Sequence, residues 1–207
     1  MTIQPYRRFK PAASVLVAGL AAVPLVLAAQ QHGVTREDAA RLRDKVDAIT
    51  RHAASVSGAS LVTQVTEQEV NAYLAFDAGE QLPAGLTEPR ISILGEGRLV
   101  GTAVVDLDAV RQQRKSRGWL DPLNYLGGRV GISVAGTLNA SGGLARFDLD
   151  SAKLAGVSVP KVVVQELVTY YSRSESNPNG LNLDDPYPLP ARIQQIEVRR
   201  GEALVKQ

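Results

Sequence analysis

The chain has 207 residues, 44% of them hydrophobic, and no cysteine. It is long enough for one ample core, and it has neither disulfide staples nor thiol chemistry. The formal net charge of +2 does not indicate a nucleic-acid partner: Arg7, Arg8 and Lys10 belong to the N-terminal 29 residues, and without these three the 23 basic residues fall to 20 against 21 acidic ones, a net charge of −1.

Those three basic residues precede an uncharged run, residues 12–29, which closes on Val26-Leu27-Ala28, a sequence suited to signal peptidase. Residues 1–29 are therefore predicted to be a signal peptide. At 1.5 Å per residue the run would be about 27 Å long as a helix, so an uncleaved N-terminal anchor is the rival reading. Pro24 and the many alanines favour cleavage. With no cysteine near the end of the run, a lipid-modified N-terminal cysteine is excluded. On either reading the remainder is expected to be extracytoplasmic, periplasmic or membrane-anchored facing outward.

Residues 30–58 are predicted as an N-terminal helix. Thr35 followed by Asp38 has the pattern of an N-cap, Leu42, Val46, Ile49, Ala53 and Val56 recur at helical spacing, and Gly58 ends the run. The apolar stripe is narrow and resembles an interaction seam. Residues 59–207 form the main predicted domain. It begins with a short strand at 60–65, followed by the capping box Thr66-Glu67-Gln68-Glu69 and a helix with Val70, Tyr73, Leu74 and Phe76 as its apolar residues. Residues 89–94 and 98–107 read as a hairpin about Gly95-Glu96-Gly97. Asp108 is expected to cap a short helix carrying Arg111, Arg114, Lys115 and Arg117, with Trp119 beyond.

The stretch 128–171 carries the strongest pattern and is expected to organise the rest. Val130, Ile132, Val134 and Leu138 alternate with polar residues, Ala140-Ser141-Gly142-Gly143 supplies a tight reversal, and Phe147 and Leu149 continue against Arg146, Asp148 and Asp150. Pro160 suits the first turn of a helix that is apolar on most sides and so must be covered. The three valines 162–164 leave a strand open as an alternative, while the spacing of Val164, Leu167, Val168 and Tyr171 favours helix. Residues 174–190 are polar and rich in Asn, Asp and Pro, a surface loop of the length of a rim or lid. Residues 191–199 and 202–205 form a third hairpin turning at Arg200-Gly201. The fold class is α+β: a bent antiparallel sheet of three hairpins wrapped around apolar helices, preceded by an N-terminal helix.

The segment Val65-Thr66-Glu67-Gln68-Glu69-Val70-Asn71-Ala72-Tyr73-Leu74-Ala75 resembles one found in exported bacterial envelope proteins of the tubular lipid-binding kind, whose half-tube (TULIP-like) domains wrap a bent antiparallel sheet around a long helix. The order of parts is similar from about residue 60 to the end: a strand pair ending in Val105-Asp106-Leu107-Asp108, a second pair, the helix opened by Pro160, and a last pair preceded by Pro188-Leu189-Pro190. The resemblance implies a hydrophobic groove that holds acyl chains, with no catalytic residue to carry over.

The side chains themselves argue against an enzyme. His32 and His52 are the only histidines, and there is neither a nucleophile elbow, nor zinc spacing, nor a phosphate-binding glycine loop. The acid pairs Asp106/Asp108 and Asp148/Asp150 have strand spacing that places both members on an outer face, and Asp184/Asp185 lies in a polar loop; solvated surface is the expectation for all three. Arg111, Arg114 and Lys115 share one side of a helix beside Trp119, a pattern suited to anionic headgroups, with an ordinary solvated face the favoured reading. The remaining candidates are apolar: Val163, Val164, Leu167, Val168 and Tyr171, expected to face Leu99, Val134 and Phe147. They form either a closed core or an acyl groove. With aromatics at 5%, the interior has smooth aliphatic walls suited to chains. The expected function is binding or shuttling of lipid without a cofactor, a metal or nucleic acid, with a membrane surface as a further partner. The alternative is a structural or assembly factor that docks an envelope protein on the helix of residues 35–56.

Overall fold

The computed structural model describes residues 33–55, 59–83, 85–109, 128–173 and 178–207, with the backbone alone for Glu80, Tyr170 and Tyr171. In chain order the elements are α1 (Arg36–Ala54), β1 (Val62–Thr66), α2 (Glu67–Phe76), a 3-10 turn (Gly79–Gln81), β2 (Leu86–Gly95), β3 (Arg98–Asp106), β4 (Arg129–Ser141), β5 (Leu144–Leu154), β6 (Val157–Ser158), α3 (Lys161–Tyr171), β7 (Tyr187–Pro188), β8 (Gln195–Arg199) and β9 (Glu202–Lys206). Helices mixed with antiparallel strands make this an α+β fold, as the alternation of hairpins and helices predicts. The predicted signal segment and the basic run with Trp119 lie outside the described residues.

Both N-terminal helices start at reciprocal capping boxes. Asp38 N donates to Thr35 Oγ1 (3.2 Å) while Thr35 N donates back to the Asp38 carboxylate (3.0 Å), and Glu69 N and Thr66 repeat the arrangement at 3.2 and 2.9 Å. The stripe of α1 turns inward: Ala39, Leu42 and Ile49 are buried, and Leu42 and Ile49 join Val65, Ile193 and Val205 in the main core, with Val70, Tyr73, Leu189, Ala191 and Ile196 packed against it. Val46 is left 48% exposed, and Val56 lies outside the described residues.

The three expected hairpins are present as β2–β3, β4–β5 and β8–β9, but they do not share one sheet. β9 pairs with β1, from Val62 opposite Lys206 to Thr66 opposite Glu202, and the third hairpin thereby becomes a separate three-stranded sheet, β1-β9-β8. The other sheet runs β2-β3-β4-β5-β6, with β7 on the far end of β5. The two sheets meet at a bridge between Leu94 and Arg200, beside which Gly201 N donates to Ile93 O (2.8 Å). The stretch 128–171 is thus not where the main core sits; that core lies where α1 meets the small sheet.

Two further expectations are corrected. β3 ends at Asp106, whose carboxylate accepts from Asp108 N (2.9 Å) and Ala109 N (3.0 Å); Asp106, not Asp108, is the cap, and the two do not form a pair along a strand. The helix opened by Pro160 does form, but it is not covered all round. Its main packing partner is β5, and Val162, Val163 and Leu167 are 63%, 41% and 43% exposed.

Candidate functional site

The register of the larger sheet sorts its residues into two unlike faces. Residues directly opposite one another share a face. Ile93, Leu99, Gly136 and Leu149 are aligned across β2 to β5; so are Ile91, Gly101, Val134 and Ala152; Ala103, Ile132 and Leu154 follow, and Leu138 stands opposite Phe147. Every residue in these alignments is apolar. The other face carries Arg90, Ser92, Thr102, Ser133, Thr137, Asn139, Arg146 and Asp148 among its residues, and there Asp148 accepts from Asn139 Nδ2 (2.9 Å) and Arg146 Nε (2.8 Å).

One local irregularity keeps the apolar face continuous. Strict alternation from Phe147 and Leu149 would next place Ser151 and Lys153 among the aliphatics. A bulge between Ala135/Ser151 and Gly136/Leu149 shifts the phase, so that Ala152 and Leu154 point to the apolar side. Gly136 is required beside it. A Cβ there would lie 2.5 Å from Asp148 O and, at the edge of the Phe147 ring, 2.7 Å from Cε1 and closer still to Cζ, too close for any of these contacts.

The sheet edge at β2 is sealed by α2. Asn71 Nδ2 donates to Ile91 O (2.8 Å) and Asn71 Oδ1 accepts from Ile91 N (2.7 Å), while Glu67 Oε2 accepts from Ile93 N (2.7 Å). The acidic and amide residues of the segment from Val65 to Ala75 therefore have defined structural partners. Glu69, 4% exposed, is held by Lys45 Nζ at 2.7 Å from both oxygens; Asp38, 1% exposed, accepts from Gln68 Nε2 (2.9 Å) and pairs with Arg41. Burial of Glu69 opposes its ionisation, but the bonds from Lys45 and Thr66 outweigh it and hold its carboxyl below the ordinary range. The Thr35 hydroxyl does the same for Asp38 against a smaller burial effect.

The predicted site residues divide accordingly. Leu99, Val134 and Phe147 stand on the one apolar face, each partly buried. Val164 and Val168 on α3 are also partly buried, Val163 and Leu167 are exposed, and Tyr171 is the last helical residue, its side chain outside what is described. The main contact of α3 is β5, the strand that carries Phe147; β4 with Val134 lies next to it, and β3 with Leu99 two strands away. Arg111, Arg114, Lys115 and Trp119 lie outside the described residues, as does His32. His52 Nε2 is 3.0 Å from Ala59 O, and Asp184 pairs with Lys161. Sequence reasoning missed Ile91, Gly101 and Ala103 as members of the face; the alternation within β2 and β3 was the available signal.

Among the described residues, the clefts include two that lie elsewhere. One of 720 Å³ separates β8 from the β2–β3 turn and the end of β4, with Glu197 on its wall held ionised by Lys206 and Arg199. One of 590 Å³ between α1 and α2 is lined by Val46, Tyr73 and Phe76 with Arg43 and Asp77. Among the described residues no group of His, Cys, Asp or Glu is placed to hold a metal ion, and no helix is long and apolar enough to cross a membrane. A scan against protein-family models finds no match, and no curated protein matches the sequence.

Proposed function

We propose that this is an extracytoplasmic protein of the tubular lipid-binding kind, which holds or shuttles acyl chains against the apolar face of the six-stranded sheet, without catalysis. In this reading the sheet is the wall of a half-tube and α3 stands at its rim. The observation that carries it is the state of that face. Of its large residues, Ile91, Leu99, Ile132, Val134, Leu138, Phe147, Leu149 and Leu154 are partly exposed, although each is apolar and all share one side, while Ile93 is buried. Apolar area left in water costs about 25 cal/mol per Å², and a continuous patch of this kind marks a surface that something apolar occupies. A wall of aliphatic side chains and one Phe, without hydrogen-bonding groups in these positions, suits flexible hydrocarbon.

Native mass spectrometry of the mature protein, purified gently from the envelope fraction, tests this. A bound species with the mass of a lipid, lost on collisional activation, is the expected result; protein that carries no adduct and takes up no added phospholipid in detergent-free solution overturns it. The second reading, an envelope assembly factor, has one observation in its favour: Val46 and Phe76 are exposed beside the cleft between α1 and α2. Lipid-free protein that co-purifies with a stoichiometric envelope partner, lost on Val46→Asp, would favour it.

A further inference from the structure

Helix α3 is held by its two ends and by a strap more than by packing. Ahead of it, β6 pairs with the end of β5 through Lys153 with Ser158 and Leu154 with Val157, and Val159 N donates to Ala152 O (2.8 Å). After it, Tyr187 and Pro188 of β7 pair with Ala145 and Leu144 at the opposite end of β5. Between these two anchors residues 178–185 lie along the helix. Gln165 Nε2 donates to Leu181 O (3.0 Å) and Gln165 Oε1 accepts from Leu183 N (2.7 Å). Thr169 Oγ1 donates to the same Leu181 O (3.1 Å), Ser172 Oγ accepts from Leu181 N (2.6 Å), and Lys161 pairs with Asp184. Residues 161, 165, 169 and 172 recur at helical spacing, so one polar stripe grips the strap backbone.

Gly180 makes the grip close. Its φ is 72°, and a Cβ on it would overlap Thr169 O and lie 2.8 Å from the Thr169 carbonyl carbon. No other residue type fits that approach without separating strap from helix. The apolar residues Val162, Val163 and Leu167 meanwhile remain exposed.

The geometry points to α3 and residues 178–185 as one clasped unit, anchored through the two-residue strands β6 and β7, that swings at the β5 edge to let an apolar chain reach the sheet face. This rests on the lipid-binding reading for what is admitted, and on the contacts above for the unit itself. Each anchor has only two register pairs, and the turn that enters β6 holds Ala155 and Gly156 at φ 50° and 81°. Movement of the unit as a whole would spare every bond between Gln165, Thr169, Ser172 and the strap. Its exposed valines and Leu167 offer the first apolar contact to an incoming chain.

Gly180→Ala tests this, with Gln165→Leu as a second variant that weakens the grip without backbone strain. Hydrogen–deuterium exchange of the full mature protein is expected to rise about tenfold, and together, for the amides of α3 and of residues 178–185, with β3, β4 and the α1 core unchanged. In the same variants the rate of cis-parinaric acid uptake rises severalfold. Exchange that rises in the strap alone, with α3 as protected as before, overturns the clasped unit. If the exchange result holds but neither wild type nor variants take up the probe, the clasp stands and the lipid-binding reading fails. If the probe binds and its rate is unaltered in variants whose α3 exchanges faster, the unit does not gate the site and the inference is overturned.

Discussion

Asn71 on α2 pairs with both main-chain groups of Ile91 on β2, through its amide to the carbonyl (2.8 Å) and its carbonyl to the N–H (2.7 Å). The side-chain amide thus takes the place of the missing neighbour strand at the edge of the larger sheet. With Glu67 on Ile93 N and Gly201 on Ile93 O, the outward groups of this part of the edge are occupied. Unpaired edges invite association, so the contact serves solubility as well as the docking of α2.

Asn71→Leu leaves the Ile91 N–H and C=O without partners at a partly buried site, where each lost bond carries a desolvation penalty. A loss of about 1–3 kcal/mol is expected in urea unfolding. Size-exclusion chromatography should also show stronger concentration-dependent association than for wild type. Unchanged stability together with an unchanged elution volume would contradict the edge-sealing role.

Acid should act on the helix starts. The carboxyls of Asp38 and Glu69 are depressed in the folded protein, so near and below pH 4 the unfolded chain binds more protons than the folded one. Their stabilisation is complete above the unfolded value of about 4 and is lost as pH falls through the lower folded value. Glu69→Gln removes one of these groups and leaves Lys45 without a counter-charge. It should cost roughly 2 kcal/mol at neutral pH and flatten the acid limb of Tm against pH. A variant with the wild-type acid limb would remove Glu69 from this account.

Leu167 and Ile193 distinguish rim from core. Ile193 is buried in the main cluster, and Ile193→Ala should cost about 2–5 kcal/mol. Leu167 is 43% exposed, and Leu167→Ala should cost about 1 kcal/mol or less. For the same reason Leu167→Asp should fold; if the proposed lipid binding holds, it should also weaken retention, since the charge would stand where chains are proposed to enter. Thermal melts of the three variants decide: a collapse of Leu167→Asp would mean that α3 is buried after all.

Gly136→Ala should destabilise by about 1–3 kcal/mol, since overpacking here meets a strand backbone. Removal of the ring in Gly136→Ala/Phe147→Ala is not expected to rescue it, because Asp148 O lies 2.5 Å from the added Cβ. Recovery in the double variant would show that the ring alone excludes a side chain.

Local patterns in the sequence determined much of this protein. Both capping boxes, the three hairpins and the helix after Pro160 follow from short-range chemistry: a hydroxyl three residues ahead of an acid, alternation of apolar residues, and glycines where Gly142 and Gly143 take φ of 60° and 76°. The placement of Val134 and Phe147 on one face was legible for the same reason. Long-range pairing was not. Nothing near Glu202–Lys206 reveals that it pairs with Val62–Thr66 across the length of the chain, and this choice splits the hairpins between two sheets. The bulge that turns Ala152 and Leu154 to the apolar side depends on the partner strand, and the exposure of Leu167 on what neighbours α3. Hydrophobicity states what a side chain would bury; which surface is available to bury it is decided only when distant strands pair, because that choice is made by the total area and hydrogen bonding of the assembled sheets.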